Sequence, residues 1–173
     1  MKAIAIENLS FSYFDSLPII QNLDLEIFAG EKVGLIGPNG AGKTTLFLLI
    51  CGILSPKIGT IKLFNKQVNI GQFNPEIGLI FQNPNDQLFS ATVRDDVAFG
   101  PENMGLEKAE IDRRVKIALS STGVSHLIDR IPHQLSGGEK CMVAIASVIA
   151  MQPKIILYDE PSANLDLQAR RRL

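Results

Sequence analysis

Gly37-Pro38-Asn39-Gly40-Ala41-Gly42-Lys43-Thr44 lies between an apolar run, Val33 to Ile36, and a helical stretch that starts at Lys43 and reaches about Ile53. Strand, glycine-rich loop and helix, in that order, are the context in which G-x-x-x-x-G-K-[ST] reads as a phosphate site. The glycines let the backbone wrap closely around phosphate oxygens, and the exposed N–H groups with the helix N-terminus favour an anion. Lys43 adds a positive charge near the β- and γ-phosphates, and Thr44 offers a hydroxyl to Mg²⁺. Phosphate loops also serve kinases and GTPases, so the motif specifies nucleotide binding better than the fate of the nucleotide.

Outward from the loop the periodicity alternates between two kinds. Lys2 to Glu7 and Asn22 to Phe28 read as strands, the second wet on one face because Leu23, Leu25 and Ile27 alternate with Asn22, Asp24 and Glu26. Ile61 to Phe64 and Ile77 to Phe81 are two further short strands, and Pro84-Asn85 opens an irregular polar segment. Helical character begins at Thr92 and is clearest from Glu107 to Ser121, where Ile111, Val115, Ala118 and Leu119 recur at helical spacing. A helix from about Gly138 to Met151 is apolar almost all round from Cys141 onward, which predicts burial on most sides. Lys154 to Tyr158 is then a buried strand ending in Asp159 and Glu160, and a last helix begins near Leu167.

Composition narrows the class. A chain of 173 residues with 46% hydrophobic side chains suits one domain with a sizeable core. Its 17 basic and 18 acidic residues nearly cancel, so no global positive field gathers nucleic acid, and no nucleic-acid partner is expected. Cys51 and Cys141 stand far apart in sequence, as expected in a reducing compartment. Met1 to Ile6 runs straight into Glu7 and Asn8, so no export is expected, and the most apolar stretch, Leu46 to Leu54, is broken by Gly52 and falls short of the ~18 residues of a membrane span. Any membrane contact is therefore expected to be peripheral.

Asp159, at the end of an apolar strand, stands where a carboxylate that orients Mg²⁺ belongs, and the adjacent Glu160 can polarise a water for attack on a γ-phosphate. Leu135-Ser136-Gly137-Gly138-Glu139 decides between classes. Ser136 can serve as both helix N-cap and phosphate ligand, while Gly137 and Gly138 leave the N–H groups of a helix N-terminus unobstructed. A chance match of these five residues has a probability on the order of 1 in 1,000 in such a chain.

With the phosphate loop, this segment resembles the signature of the ATP-binding cassette (ABC) ATPases, and the resemblance runs across almost the whole chain. It implies an α/β P-loop NTPase fold with a mainly parallel sheet, an N-terminal antiparallel β portion and a helical subdomain insert. Residues 1–86 and 148–173 would form the nucleotide-binding core, and 87–147 the helical subdomain bearing the signature. It further implies ATP and Mg²⁺ as cofactors and a nucleotide-contacting set of Gly37, Pro38, Asn39, Gly40, Ala41, Gly42, Lys43, Thr44 and Thr45. Tyr13 resembles the family's adenine-stacking aromatic, with Phe11 and Phe14 near enough to leave the choice open. Gln82 resembles the family's glutamine that senses metal and attacking water, so Thr44, Gln82 and Asp159 become the metal-side residues. Glu160, Gln82 and Lys43 become the catalytic ones. Ser136 and Gly138 would close a site held by a second ATPase subunit, and Ser162-Ala163-Asn164-Leu165-Asp166 resembles the loop that signals across that dimer, with Asp166 its acid.

The segment from Gln82 through Leu88-Phe89, then Thr92-Val93 and Asp96 to Asn103, is similar to the energy-coupling ATPases of cobalt, nickel and vitamin importers. This implies an ATPase at the cytoplasmic face of a membrane, bound to an integral membrane transport subunit. The family's switch histidine is not found after the signature, since His126 and His133 both precede it, so the cassette is expected to be incomplete at its C-terminus. That departure keeps open a nucleotide-binding module without turnover, beside a soluble cassette unconnected with transport. The signature also ends in Glu139 where glutamine is commoner, and Cys141-Met142 stands where basic residues are frequent, so the charge of that face is expected to differ. A P-loop GTPase is disfavoured because Asn65-Lys66-Gln67-Val68 lacks the Asp of a guanine-reading N-K-x-D.

Overall fold

The computed structural model describes residues 1–14 and 17–160. The chain divides into two compact units, Met1–Asn74 and Pro75–Leu173.

The first unit is built on an antiparallel sheet of order β2-β1-β3-β4. Its strands are β1 (Lys2–Phe11), β2 (Ile20–Phe28), β3 (Ile58–Leu63) and β4 (Lys66–Gln67). β1 is central, and its run Ala3 to Ile6 is buried on both faces, which explains why it is continuously apolar rather than alternating. β2 pairs with it through Lys2↔Phe28, Ile6↔Leu25 and Phe11↔Ile20, and there the alternation of Leu23, Leu25 and Ile27 with exposed polar residues is borne out. β3 pairs on the other side through Ile4↔Leu63 and Ile6↔Ile61. Phe64 and Asn65, both at positive φ (48° and 65°), make the two-residue turn into β4 that suits the right-handed twist of a hairpin.

Helix α1 (Lys43–Ile50) buries Leu46, Leu49 and Ile50. It stops short of Ile53 because Gly52, one residue past the cap Cys51, takes a left-handed φ of 71°, the conformation that ends many helices. The strand expected over Val33 to Ile36 is not formed. These residues have no regular structure, and Val33 and Ile36 are 58% and 96% exposed. A four-residue apolar run becomes a buried parallel strand only where a ladder partner and covered faces await it, and among the described residues no strand pairs with it.

The second unit holds a parallel pair, β5 (Ile77–Ile80) and β6 (Ile155–Tyr158), in register from Ile77↔Ile155 to Ile80↔Tyr158. Three helices lie between them in sequence: α2 (Val93–Asn103), α3 (Lys108–Ser121) and α4 (Gly137–Ala150). Their shared core includes Ile80, Val93, Val97, Val115, Leu119 and Val143. Val115, Ala118 and Leu119 are the buried face of α3, as their spacing predicts. α4 is buried continuously from Cys141 to Ala146, so it is a rod held on most sides. Complete burial of one such side chain, Leu119, stabilises by about 2 kcal/mol. Arg114 donates to the carbonyls of Ala150 and Met151 at 3.5 and 3.2 Å, placing a cation on the orphan carbonyls at the C-terminal end of α4. No helix among the described residues is long and apolar enough to cross a membrane.

Candidate functional site

In the first unit, the loop Gly37 to Gly42 is exposed except at its last residue and leads directly into α1. Gly42 is the N-cap at φ 89°, and a Cβ there would stand 2.6 Å from Ile19 Cγ2. Both the left-handed backbone and the close approach of Ile19 therefore call for glycine. The Lys43 ammonium donates to the carbonyl oxygens of Gly37 (2.9 Å) and Pro38 (3.1 Å), drawing the loop around one positive charge. Ala41 N–H closes a turn onto the Pro38 carbonyl at 3.2 Å. Thr44 is exposed in the first turn, whereas Thr45 is buried. An exposed loop at a helix N-terminus, with a lysine folded into it and a hydroxyl beside it, has the donor chemistry of a polyphosphate and metal site, so these residues fit Mg²⁺-ATP.

Tyr13 is brought to this helix. Its hydroxyl lies 3.3 Å from Thr45 Oγ1, and its ring meets Phe11 edge-on at 4.9 Å. Among the three aromatics left open by the sequence, Phe11 is buried in the core and unavailable for stacking a ligand, while Phe14 is 92% exposed. Tyr13 combines a partly exposed face with a supported position.

In the second unit, Asp159 is buried and follows β6 directly, its N–H donating to the Ile80 carbonyl at 2.9 Å. Glu160 is exposed at a positive φ of 49°, an uncommon conformation for a residue with a side chain, so the chain turns sharply between the two acids. Gln82, just beyond β5, donates from Nε2 to Glu160 Oε2 at 3.5 Å. The parallel pairing of β5 with β6 is what brings these two side chains together across 78 residues of sequence.

Ser136 caps α4, as its place in the sequence predicts. The reciprocal half was not foreseen: Glu139 accepts from Ser136 N–H (2.8 Å) and from Ser136 Oγ (2.7 Å), completing a capping box. The Ser-x-x-Glu spacing was the available signal. These bonds, the Ser136 hydroxyl first and its N–H second, hold the Glu139 carboxyl below the usual range, and the positive field of His126 and Arg130 adds to the effect. A Cβ on Gly137 or Gly138 would meet nothing within 4 Å, so the first turn of α4 is open to an anion. His126 and His133 are both exposed.

Other reactive groups fall away. Burial pushes the Cys51 thiol up to about 12 and raises that of Cys141, so neither is a ready nucleophile. Ser162 to Asp166 and the helix expected near Leu167 lie outside the described residues.

Residues 20–163 match the family model described as "ABC transporter". The chain is 54% identical over 171 residues to an ABC transporter ATP-binding protein of Synechocystis, spanning 99% of this chain and 60% of that protein. It is 46% identical over 168 residues to the energy-coupling factor transporter ATP-binding protein EcfA of Methanothermobacter thermautotrophicus, spanning 94% of this chain and 54% of that one. Among solved structures it is similar to CbiO1 of Clostridium perfringens, described as part of the ABC transporter complex CbiONQ. That likeness has a TM-score of 0.83 and 41% identity, and covers 97% of this chain and 69% of that one. The chain thus spans between half and two thirds of these two curated relatives. The glycine loop before α1, the acids Asp159 and Glu160 after β6 and the capped N-terminus of α4 all lie within the matched residues, and the match establishes that this chain belongs to the ABC transporter family as an ATP-binding domain.

Proposed function

We propose that this chain is the ATP-binding and ATP-hydrolysing subunit of a membrane importer of the energy-coupling kind, with cobalt or nickel ions or a vitamin as its cargo. The observation that carries the reading is the occurrence in one chain of two anion-ready helix ends, α1 behind its lysine-filled loop and α4 behind Ser136. A chain that only held a nucleotide would need the first alone. The second has a use when another copy or a related subunit presents its own phosphate loop, which makes a head-to-tail pair the natural working unit. Relatives named as energy-coupling factor ATP-binding proteins support the importer class.

In this reading residues 1–86 and 148–173 serve the nucleotide and 87–147 carry the signature. The backbone from Gly37 to Gly42, with Lys43, Thr44 and Thr45, binds the phosphates, and Tyr13 stacks on the adenine. Bound Mg²⁺ supplies neutralisation of charge on the terminal phosphates. Thr44, Gln82 and Asp159 are the residues that would hold it. Lys43 stabilises charge developing on the γ-phosphate, and Glu160 takes a proton from the attacking water while the Gln82 amide keeps its carboxylate aimed. Ser136 and Gly138 close the partner's site through the hydroxyl and open N–H groups of α4, and Asp166 carries the signal between the two sites. The chain would work at the cytoplasmic face of the membrane, joined to an integral membrane subunit.

The test is Mg²⁺-ATP binding and steady-state hydrolysis by the wild-type chain, Lys43→Ala and Glu160→Gln. Binding lost in Lys43→Ala and turnover lost in Glu160→Gln, with binding kept in the latter, is the expected pattern. Turnover that survives in Glu160→Gln would sink the assignment of the base. Nucleotide binding that survives unchanged in Lys43→Ala would sink the site itself.

A further inference from the structure

The segment after Gln82, Asn83-Pro84-Asn85-Asp86-Gln87, has no part in the chemistry above, yet it is tied down more thoroughly than a surface loop requires. Asn83 caps a 3-10 turn over Pro84–Asp86, its side-chain oxygen accepting from Asn85 N–H at 3.1 Å. Gln87 then turns inward and makes three bonds. Its Oε1 accepts from Phe81 N–H at 3.2 Å, and its Nε2 donates to the Ala144 carbonyl at 2.8 Å and to Ser147 Oγ at 3.0 Å. Phe81 is the residue between the end of β5 and Gln82, so one carboxamide joins the backbone beside Gln82 to the middle of α4.

The bond to Ala144 is not needed to satisfy the helix. A mid-helix carbonyl already accepts the N–H four residues on, and Ser147 Oγ also donates to it at 2.9 Å. The bond adds a connection between two elements. A second tie runs parallel to it, from Lys140 Nζ in the first turns of α4 to Asn85 Oδ1 at 2.8 Å. A third fixes the far end of the segment: buried Asp96 on α2 accepts from Phe89 N–H and Ser90 N–H at 3.1 and 3.0 Å through Oδ1. α4 is buried on most sides and behaves as a rod, with Ala144 eight residues, or about 12 Å, from Ser136.

We propose that Gln87 is a positioning residue that couples Gln82 and Glu160 to the N-terminus of α4, so that a shift at the γ-phosphate sensor is handed to Ser136 and a shift at Ser136 is handed back. The inference rests on the functional reading above. It makes the Gln87 carboxamide, rather than packing alone, the element that transmits between the two.

The test uses the full chain with Gln87→Leu, which removes all three bonds at nearly constant length, and Gln87→Glu. Asn103→Ala serves as a control because it removes a side-chain to backbone bond in the same unit, to the Phe99 carbonyl, away from this path. Amide hydrogen exchange over residues 81–86 and 137–143 is measured with and without Mg²⁺-ATP, alongside kcat and KM. In Gln87→Leu the KM for Mg²⁺-ATP is expected to stay within about twofold while kcat falls about tenfold or more. Protection gained by 137–143 on adding nucleotide to wild type is expected to vanish. Gln87→Glu gains a pH dependence absent from wild type, with kcat rising as pH falls, because only the protonated acid can accept from Phe81 N–H and donate to the Ala144 carbonyl. A kcat for Gln87→Leu equal to that of Asn103→Ala, a rise in KM with kcat unchanged, or a flat pH profile for Gln87→Glu would overturn the proposal. Failure of the functional reading looks different: wild type neither binds nor turns over Mg²⁺-ATP. Even then, faster exchange at 81–86 and 137–143 in nucleotide-free Gln87→Leu supports the link, and unchanged exchange there overturns it.

Discussion

Gly42→Ala probes whether the phosphate loop is set by its backbone. Gly42 sits at φ 89°, and an alanine held in the left-handed region costs about 1–2 kcal/mol. The added Cβ would lie 2.6 Å from Ile19 Cγ2, so the Ile19 side chain must leave its rotamer, at about 0.5–1.5 kcal/mol. Restricting the unfolded chain returns about 0.4–1 kcal/mol. Near the middle of these ranges the net is about 2 kcal/mol, a factor of roughly 30 in the population of the native loop. The strain is local to the loop and the start of α1, so it is expected in Mg²⁺-ATP affinity, read by equilibrium titration, as a 10- to 30-fold loss. Ile19→Ala in the same background removes the collision and leaves the backbone strain. A double-mutant cycle should therefore recover about 3- to 10-fold of the affinity. If Gly42→Ala binds Mg²⁺-ATP within twofold of wild type, the left-handed cap is not what shapes the site. If the cycle shows no coupling, the Ile19 contact is not part of the cost.

The remaining predictions concern buried hydrogen bonding in the second unit and acid stability. Asp96→Ala strips the acceptor from Phe89 N–H and Ser90 N–H, and leaving two partly buried donors unmet should cost about 2 kcal/mol in urea unfolding. Asp96→Asn keeps that acceptor and places a donor where Oδ2, buried without a hydrogen-bond partner among the described residues, now stands, so it should cost less than Asp96→Ala. Glu110, hydrogen-bonded to Arg113 and Arg114, has its pKa lowered to about 2, and Glu139 is lowered by Ser136. A carboxylate with a depressed folded pKa contributes stability that is present above its unfolded value and lost as pH falls through the folded one. For Glu110 that window runs from about 4.5 down to about 2. Unfolding free energy should therefore fall with pH across it, and Glu110→Gln should flatten the slope. A variant as steep as wild type would show that the arginine pair does not set it. Glu139→Gln should reduce the loss in the same direction below the ordinary glutamate range, with chemical denaturation at several pH values as the measurement.

Much of the candidate site was legible because its residues act through local backbone geometry. Gly42-Lys43-Thr44 starts a helix in the sequence and in the structure, and Ser136 caps α4, since a cap depends on residues within one turn. The helix faces of α3 and α4 and the alternation of β2 were likewise readable, because period and burial are linked. The strand expected at Val33 to Ile36 was not, since four apolar residues carry no information about whether a neighbour will pair with them. Setting Phe11 aside also needed the core, which claims its ring.

By itself, then, the sequence determined the chemistry available at each helix end and strand end. A glycine loop with a lysine, a serine cap with open N–H groups, and an acid pair after an apolar strand are properties of short segments, set by steric and hydrogen-bonding rules that span a few residues. Only the tertiary structure decided which distant groups meet. Parallel pairing of β5 with β6 puts Gln82 beside Glu160, and the packing of α4 near the end of β5 lets Gln87 reach Ala144 and Ser147. Those contacts join residues more than fifty positions apart, and their formation depends on the summed burial of a whole core, which no local pattern records.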